Sequence, residues 1–158
     1  MKVLLIFIIL SFFSLTICSQ SKKEVKQHKI KASAVSTIQN GKIINENKTI
    51  FDAMGNELEI TKYDEEGEVR TIHKFKYNKE GDEIEDLQFD AENKFIEKKI
   101  TKYNLSGKKT EEIYTDTLGK IIKKNTYIYN TKGLKTERKT IDTEGKITSV
   151  KKYVYITK

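Results

Sequence analysis

Proline and tryptophan are absent from the 158 residues, cysteine occurs once and histidine twice. Each absence excludes something. Without proline, no strand loses a ladder N–H to a pyrrolidine ring. A lone cysteine, Cys18, rules out an internal disulfide framework. With only His28 and His73, a histidine-rich metal site has too few ligands, and no nucleophile–histidine constellation can be read. No stretch is apolar for the roughly 20 residues that a membrane span needs. Glycine is sparse as well, and its eight copies all belong to one series.

Those glycines are Gly41, Gly55, Gly67, Gly81, Gly107, Gly119, Gly133 and Gly145. They alternate at intervals of 14 and 12, with a single gap of 26 that Asn93 divides in the same proportion. Asparagine is the residue that, after glycine, most readily takes positive φ. Three residues before each slot stands Asp or Asn: Asp52, Asp64, Asn78, Asp90, Asn104, Asp116, Asn130 and Asp142. Only the first slot departs, with Ile38 there instead. An Asp or Asn opening a turn that a left-handed residue closes describes a type I hairpin turn with a bulge. The expected structural turn residues are therefore the eight glycines and Asn93.

Between turns lie segments of roughly ten and then eight residues, a length that suits strands and is too short for a crossover helix. The longer ones are rich in β-branched and aromatic residues, as in residues 121–129. The predicted fold is all-β: an antiparallel meander of 26-residue double-hairpin repeats, forming a single-layer sheet that is twisted or partly rolled. The units are 41–66, 67–92, 93–118 and 119–144, with a half unit at 145–158. Aligned by 26, Phe51, Tyr77, Tyr103, Tyr129 and Tyr155 form one column, and Thr49, Phe75, Thr101, Tyr127 and Tyr153 form another two residues earlier. An even offset puts both columns on one face. Neither face is cleanly apolar, so burial is expected near the turns, with stability spread over neighbouring repeats and the aromatic columns as its main source.

Ahead of the repeats, residues 1–19 have a basic start, an apolar run at 3–13 and a small-residue exit, the pattern of a secretory signal peptide. Cleavage after Ser19 fits the small-residue rule. The competing reading is a bacterial lipobox with Cys18 lipidated, against which Ile17 is bulky for the position before the cysteine. Residues 20–36 hold Lys22, Lys23, Lys26, Lys29 and Lys31 with few large apolar groups, and read as a basic flexible tether. The repeat domain is placed at 37–158. Export is expected, to the medium, the periplasm or the cell surface, with an outer-membrane lipoprotein as the lipidated variant. Membrane contact then comes only through an anchor on Cys18.

The segment Tyr127-Ile128-Tyr129-Asn130-Thr131-Lys132-Gly133, echoed by Phe75-Lys76-Tyr77-Asn78-Lys79-Glu80-Gly81, resembles the YD repeat of the RHS family, Tyr-x-Tyr-Asp-x-x-Gly. The likeness extends in weaker form over 41–158. It implies hairpins in a spiralling sheet and an exported or surface-displayed protein. Asn replaces Asp after the tyrosine of the long strands, and Gly-Lys-Ile stands where the family has Gly-Arg-Leu. Four and a half units are too few to form the family's enclosing shell, and the resemblance supplies no catalytic residue. MORN-type repeats, which use more glycine and tryptophan, rank second.

The formal charge of +7 is unevenly placed. Residues 20–40 carry five basic and one acidic side chain, residues 41–92 seven and fifteen, and residues 93–158 seventeen and seven. The net charges are thus +4, −8 and +10. A meander keeps sequence order in space, so one end of the sheet should be acidic and the other basic. That division motivates steered association, either with an anionic surface or end to end between copies. The competing view is that the charges keep a thin sheet soluble and its edges unpaired. Calcium at the turns is poorly supported, because each turn offers about one carboxylate where calcium takes six to eight oxygens.

The function expected from these features is a non-enzymatic secreted or surface-associated interaction module of a bacterium. Its partner would be an unidentified protein or an anionic glycan or lipopolysaccharide surface. No cofactor, no metal, no catalytic residue and no specific nucleic acid are expected. Tyr127, Tyr129, Tyr153 and Tyr155 are the candidate contact residues, since a tyrosine ring offers an apolar body and a polar tip. A self-associating structural repeat protein is the second reading. A glycan-active enzyme is the third, and it needs paired carboxylates in a cleft.

Overall fold

A computed structural model describes residues 21–156. One short helix, α1 (Lys22–Gln27), precedes ten strands: β1 (Ala32–Gln39), β2 (Lys42–Phe51), β3 (Glu57–Tyr63), β4 (Val69–Tyr77), β5 (Glu83–Phe89), β6 (Phe95–Tyr103), β7 (Lys109–Thr115), β8 (Ile121–Tyr129), β9 (Lys135–Ile141) and β10 (Ile147–Lys152). They form one open antiparallel sheet in sequence order, β1 to β10, so the all-β meander is the fold. The proposed signal segment and Cys18 lie outside the described residues.

Turn chemistry builds the sheet. Every glycine of the series has φ between 70° and 89°, and Asn93 takes φ 62°. At a representative turn, the Gly107 N–H donates to Asn104 O at 2.9 Å, and the Asn104 N–H donates to Lys108 O at 2.9 Å. The Asn104 Oδ1 accepts from the N–H of Ser106 and of Lys108, each at 3.0 Å. Asp64, Asp90, Asp116 and Asp142 repeat this arrangement. Each turn is followed by a register shift in the same column, as at Lys76/Tyr77, Lys102/Tyr103 and Ile128/Tyr129. The bulge restores the pairing after the extra turn residue.

The first turn is different. Asn40 and Gly41 have φ 52° and 77°, and Gln39 pairs with Lys42. That is a two-residue Asn-Gly turn of type I′, which needs no Asp or Asn at position 38.

The basic tether expected at 20–36 is corrected. Ser21 and Glu24 form a capping box that starts α1, and β1 begins at Ala32. Val25 on this helix is 1% exposed, the one buried apolar side chain among the described residues. The helix lies against the turns at one end of the sheet. A Cβ at Gly55 would stand 2.5 Å from the Lys22 carbonyl oxygen, and one at Gly81 would stand 2.8 Å from Lys22 Nζ. The helix settles where the turns have no side chain to obstruct it.

Burial within the strands is polar and not aromatic. The most buried strand residues are Thr49 and Thr101, two residues from the ends of β2 and β6, and Glu112 and Asn125 at mid-strand, each under 10% exposed. The aromatic column at the strand ends instead works through its hydroxyls. Tyr77, Tyr103, Tyr129 and Tyr155 donate to the carbonyl oxygens of Glu57, Glu83, Lys109 and Lys135 at 2.7–2.9 Å, each twenty residues back. Glu57 lies beyond Glu59↔Lys74, the last pair of β3 with β4, so the hydroxyl supplies a partner where the ladder ends. Burial pushes the Tyr77 hydroxyl pKa up to about 12, with the charges of Glu83, Glu57 and Asp52 adding to it.

Candidate functional site

The two faces of the sheet carry different chemistry. Directly opposed residues share a face. The pairs Thr101↔Glu112, Glu112↔Asn125, Asn125↔Thr140, Tyr127↔Arg138 and Lys151↔Arg138 therefore lie together on one face, along with Phe75↔Asp86 and Lys99↔Asp86. The other face repeats an ion-pair ladder. Lys76 and Lys98 flank Glu85 at 2.7 and 2.6 Å, and Lys102 and Lys124 flank Glu111 at 3.0 and 2.5 Å. Hydrogen bonds from those lysines hold both carboxyls below their usual range. This second face is internally neutralised and periodic.

The first face holds two polar networks. On β4–β6, His73 Nδ1 lies 2.9 Å from Asp86 Oδ1, and Lys99 Nζ reaches Asp86 at 3.2 Å and Glu83 at 2.8 Å. Burial opposes the Asp86 charge, but His73 and Lys99 outweigh it and hold the carboxyl low. Burial likewise opposes the Lys99 charge, and Glu83 and Asp86 reverse that into an upward shift.

On β7–β9, Glu112 is the hub. It accepts from Lys109 Nζ at 2.7 Å, Asn125 Nδ2 at 3.0 Å and the Tyr127 hydroxyl at 2.5 Å, and Asn125 Oδ1 accepts from Thr140 at 2.9 Å. Burial works against the Glu112 charge, yet the bonds from Lys109, Tyr127 and Asn125 bring its pKa down to about 2. Burial and the adjacent Glu112 raise the Tyr127 pKa.

Beyond this hub the same face turns basic. Lys123 Nζ sits 3.7 Å from the Tyr114 ring centroid, and Lys135 Nζ lies between two rings, 5.0 Å from Tyr127 and 5.3 Å from Tyr153. Arg138 and Lys151 stand opposite each other between those tyrosines. Arg138 Nε is buried without a hydrogen-bond partner among the described residues. The only carboxylate in β8–β10 is Glu137, which pairs with Ile128 on the opposite face and bonds Lys139 at 3.1 Å. Four cations thus share three strands with no acid on their own face.

Of the four tyrosines singled out from the sequence, Tyr127 and Tyr153 border this basic patch. Tyr129 and Tyr155 lie at the strand ends with their hydroxyls bound to backbone carbonyls, and the Tyr155 ring is 47% exposed. Sequence reasoning missed Glu112, Lys135 and Arg138. The signal for Glu112 and Arg138 was present in the column Ile60, Asp86, Glu112, Arg138, and that for Lys135 in the column Glu57, Glu83, Lys109, Lys135, both aligned by the 26-residue period in the short strands.

Among the described residues, no group of His, Cys, Asp and Glu is placed to hold a metal ion, and no helix is long and apolar enough to cross a membrane.

No family model matches the chain, and no curated protein matches it. Solved structures do resemble it. A porin-like protein from Bacteroides uniformis is 13% identical with a TM-score of 0.45, over 76% of this chain and 49% of that one. A protein of unknown function from Bacteroides fragilis is 11% identical with a TM-score of 0.42, covering 80% of this chain and 96% of that one. TarM is 17% identical with a TM-score of 0.28, over 79% of this chain and 22% of that one. This chain spans about half the length of the porin-like protein. Scores this low carry no argument about family or function.

Proposed function

We propose that the protein is a non-enzymatic, exported interaction module, built of YD-like repeats, that binds an anionic glycan surface through the basic face of β8–β10. The observation that carries this reading is the uncompensated cluster of Lys123, Lys135, Arg138 and Lys151 beside the rings of Tyr127 and Tyr153. Rings of this kind stack on the apolar face of a sugar, while guanidinium and ammonium groups meet carboxylate or phosphate substituents. An open sheet also offers a long polymer a track without requiring an end to be threaded into a pocket.

The enzyme reading lacks a comparable observation. A glycosidic general acid needs a carboxyl whose pKa is raised. The carboxyls of Asp52, Glu85, Asp86, Glu111 and Glu112 all shift downward.

Titration calorimetry against lipopolysaccharide and a soluble polyuronate tests the proposal. Binding is expected to weaken with salt and to fall at least about tenfold in Arg138→Gln/Lys151→Gln, which removes two contacts of roughly 1 kcal/mol each. No binding by the intact protein, or equal binding by the double variant, overturns it.

A further inference from the structure

The two edges of the sheet are complementary in length class and direction. β1 is the only strand without a charged side chain, reading Ala-Ser-Ala-Val-Ser-Thr-Ile-Gln, whereas each of the other nine carries at least two. Edge strands are ordinarily guarded by charge, because their free N–H and C=O groups template further pairing. β1 lacks that guard, and among the described residues nothing pairs with its outer side or with that of β10. Helix α1 leaves the β1 edge clear, since it lies against the turns at Gly55 and Gly81.

The repeat itself identifies the strand that fits. Moved by the 26-residue period, β3 falls on residues 31–37, so β1 holds a short-strand position. Likewise β8 falls on residues 147–155, so β10 holds a long-strand position, and the Tyr153 N–H still bonds Thr136 O at 3.0 Å past its end. Inside the sheet, every long strand is followed by a short one running antiparallel to it. Ten is an even number, so β10 runs antiparallel to β1. A second copy in the same orientation therefore places its β1 where the next short strand of the series belongs, with turns and polar face continuing in line.

We propose that a second copy of the chain adds its β1 strand to the free edge of β10, extending the sheet head to tail. In the register of β8 and β9, where Asn125 faces Thr140, Lys151 faces Ser36 of the incoming copy. The small side chain of Ser36, which pairs with Asn45 in its own sheet, leaves room for Lys151. Exposed Val150 and Val154, 45% and 88% accessible, gain cover along the junction. Residues 20–40 of the incoming copy, net +4, meet residues 93–158, net +10, and the −8 of residues 41–92 follows only from β2 onward, so backbone pairing and not charge drives the contact. Such a contact is heterologous and does not close, so it propagates into chains of copies. It is independent of glycan binding, since it uses strand edges and not the face.

Thiol cross-linking tests the pairing on protein recovered from expressing cells with Cys18→Ser, so that no native thiol competes. Ser36→Cys and Lys151→Cys are made separately. Head-to-tail pairing predicts a disulfide-linked dimer only when the two preparations are mixed, and a ladder of oligomers from the double variant. A dimer from Ser36→Cys alone would mean pairing of β1 with β1 and overturns the proposal, as does a monomer at every concentration by light scattering. A second series guards against local disruption. Ser36→Lys is expected to weaken association up to about fivefold by placing like charges opposite each other, and adding Lys151→Glu is expected to restore it. Equal association by all three proteins refutes the register.

Discussion

Replacing Glu112 with Gln should remove one of the largest single stabilising contributions in the sheet, and only above acidic pH. Glu112 is 8% exposed and bonded to Lys109, Asn125 and Tyr127. Its pKa falls from 4.5 to about 2, and every tenfold gain in acidity favours the charged form by about 1.4 kcal/mol. The charged carboxylate thus contributes about 3 kcal/mol. Because the folded pKa lies below the unfolded one, this contribution is fully present above about pH 5 and drains away as pH falls through about 2. Gln keeps the shape and an acceptor for Tyr127 but has no charge to titrate. Urea unfolding of both proteins at a series of pH values isolates the effect, since Asp86, Glu85 and Glu111 titrate equally in each. The stability difference should be about 3 kcal/mol at pH 7 and should shrink towards zero near pH 2. A difference that stays constant with pH would refute the charge argument, and no difference at pH 7 would refute the network.

Three further perturbations probe other parts of the structure. Gly133→Val places a β-branched side chain at φ 74° and should cost at least about 1 kcal/mol, whereas Asn93→Gly, at φ 62°, should be neutral or slightly stabilising; thermal melts of both check the turn assignment. Tyr103→Phe removes the hydroxyl donor to Glu83 O at 2.8 Å, and chemical denaturation should show a loss of about 1 kcal/mol. Val25→Ala empties the one buried apolar site of α1 and should cost about 2 kcal/mol, with amide exchange accelerating first at the turns around Gly55 and Gly81; unchanged exchange there would mean that the helix does not hold those turns.

The parts of this fold that were legible are those that a backbone constraint writes into residue identity. Positive φ admits Gly or Asn, so the turns, and through them the strand lengths and the meander, stood in the sequence. Asn93 was readable for the same reason. The type I′ turn at Asn40-Gly41 was hidden because Gly41 also satisfies the spacing of the other turns. Helix α1 is six residues long and buries one side chain, too little for a periodic apolar signal, although the capping box Ser21-Lys22-Lys23-Glu24 was visible. The polar networks were half legible. Parity put Glu112 and Asn125 on one face, but which donors converge on a carboxylate depends on side-chain reach across three strands.

The columns also divide by what the fold demands of them. Those at the turns and the tyrosine ladder scarcely change from unit to unit, since each unit must bend and cap its carbonyls in the same way. The mid-face column passes through Ile60, Asp86, Glu112 and Arg138 at unchanged backbone positions. Variation that the backbone does not require makes one unit chemically distinct from the next. Asp86 and Glu112 are each neutralised by neighbours, and the sequence of substitutions leaves net charge only where the column reaches Arg138. A sheet stabilised by near-neighbour contacts can carry such a change in a single unit without disturbing the others. The repeats thus supply the scaffold, and the departure from repetition leaves β8–β10 with Lys123, Lys135, Arg138 and Lys151 and no acid of these strands on their face.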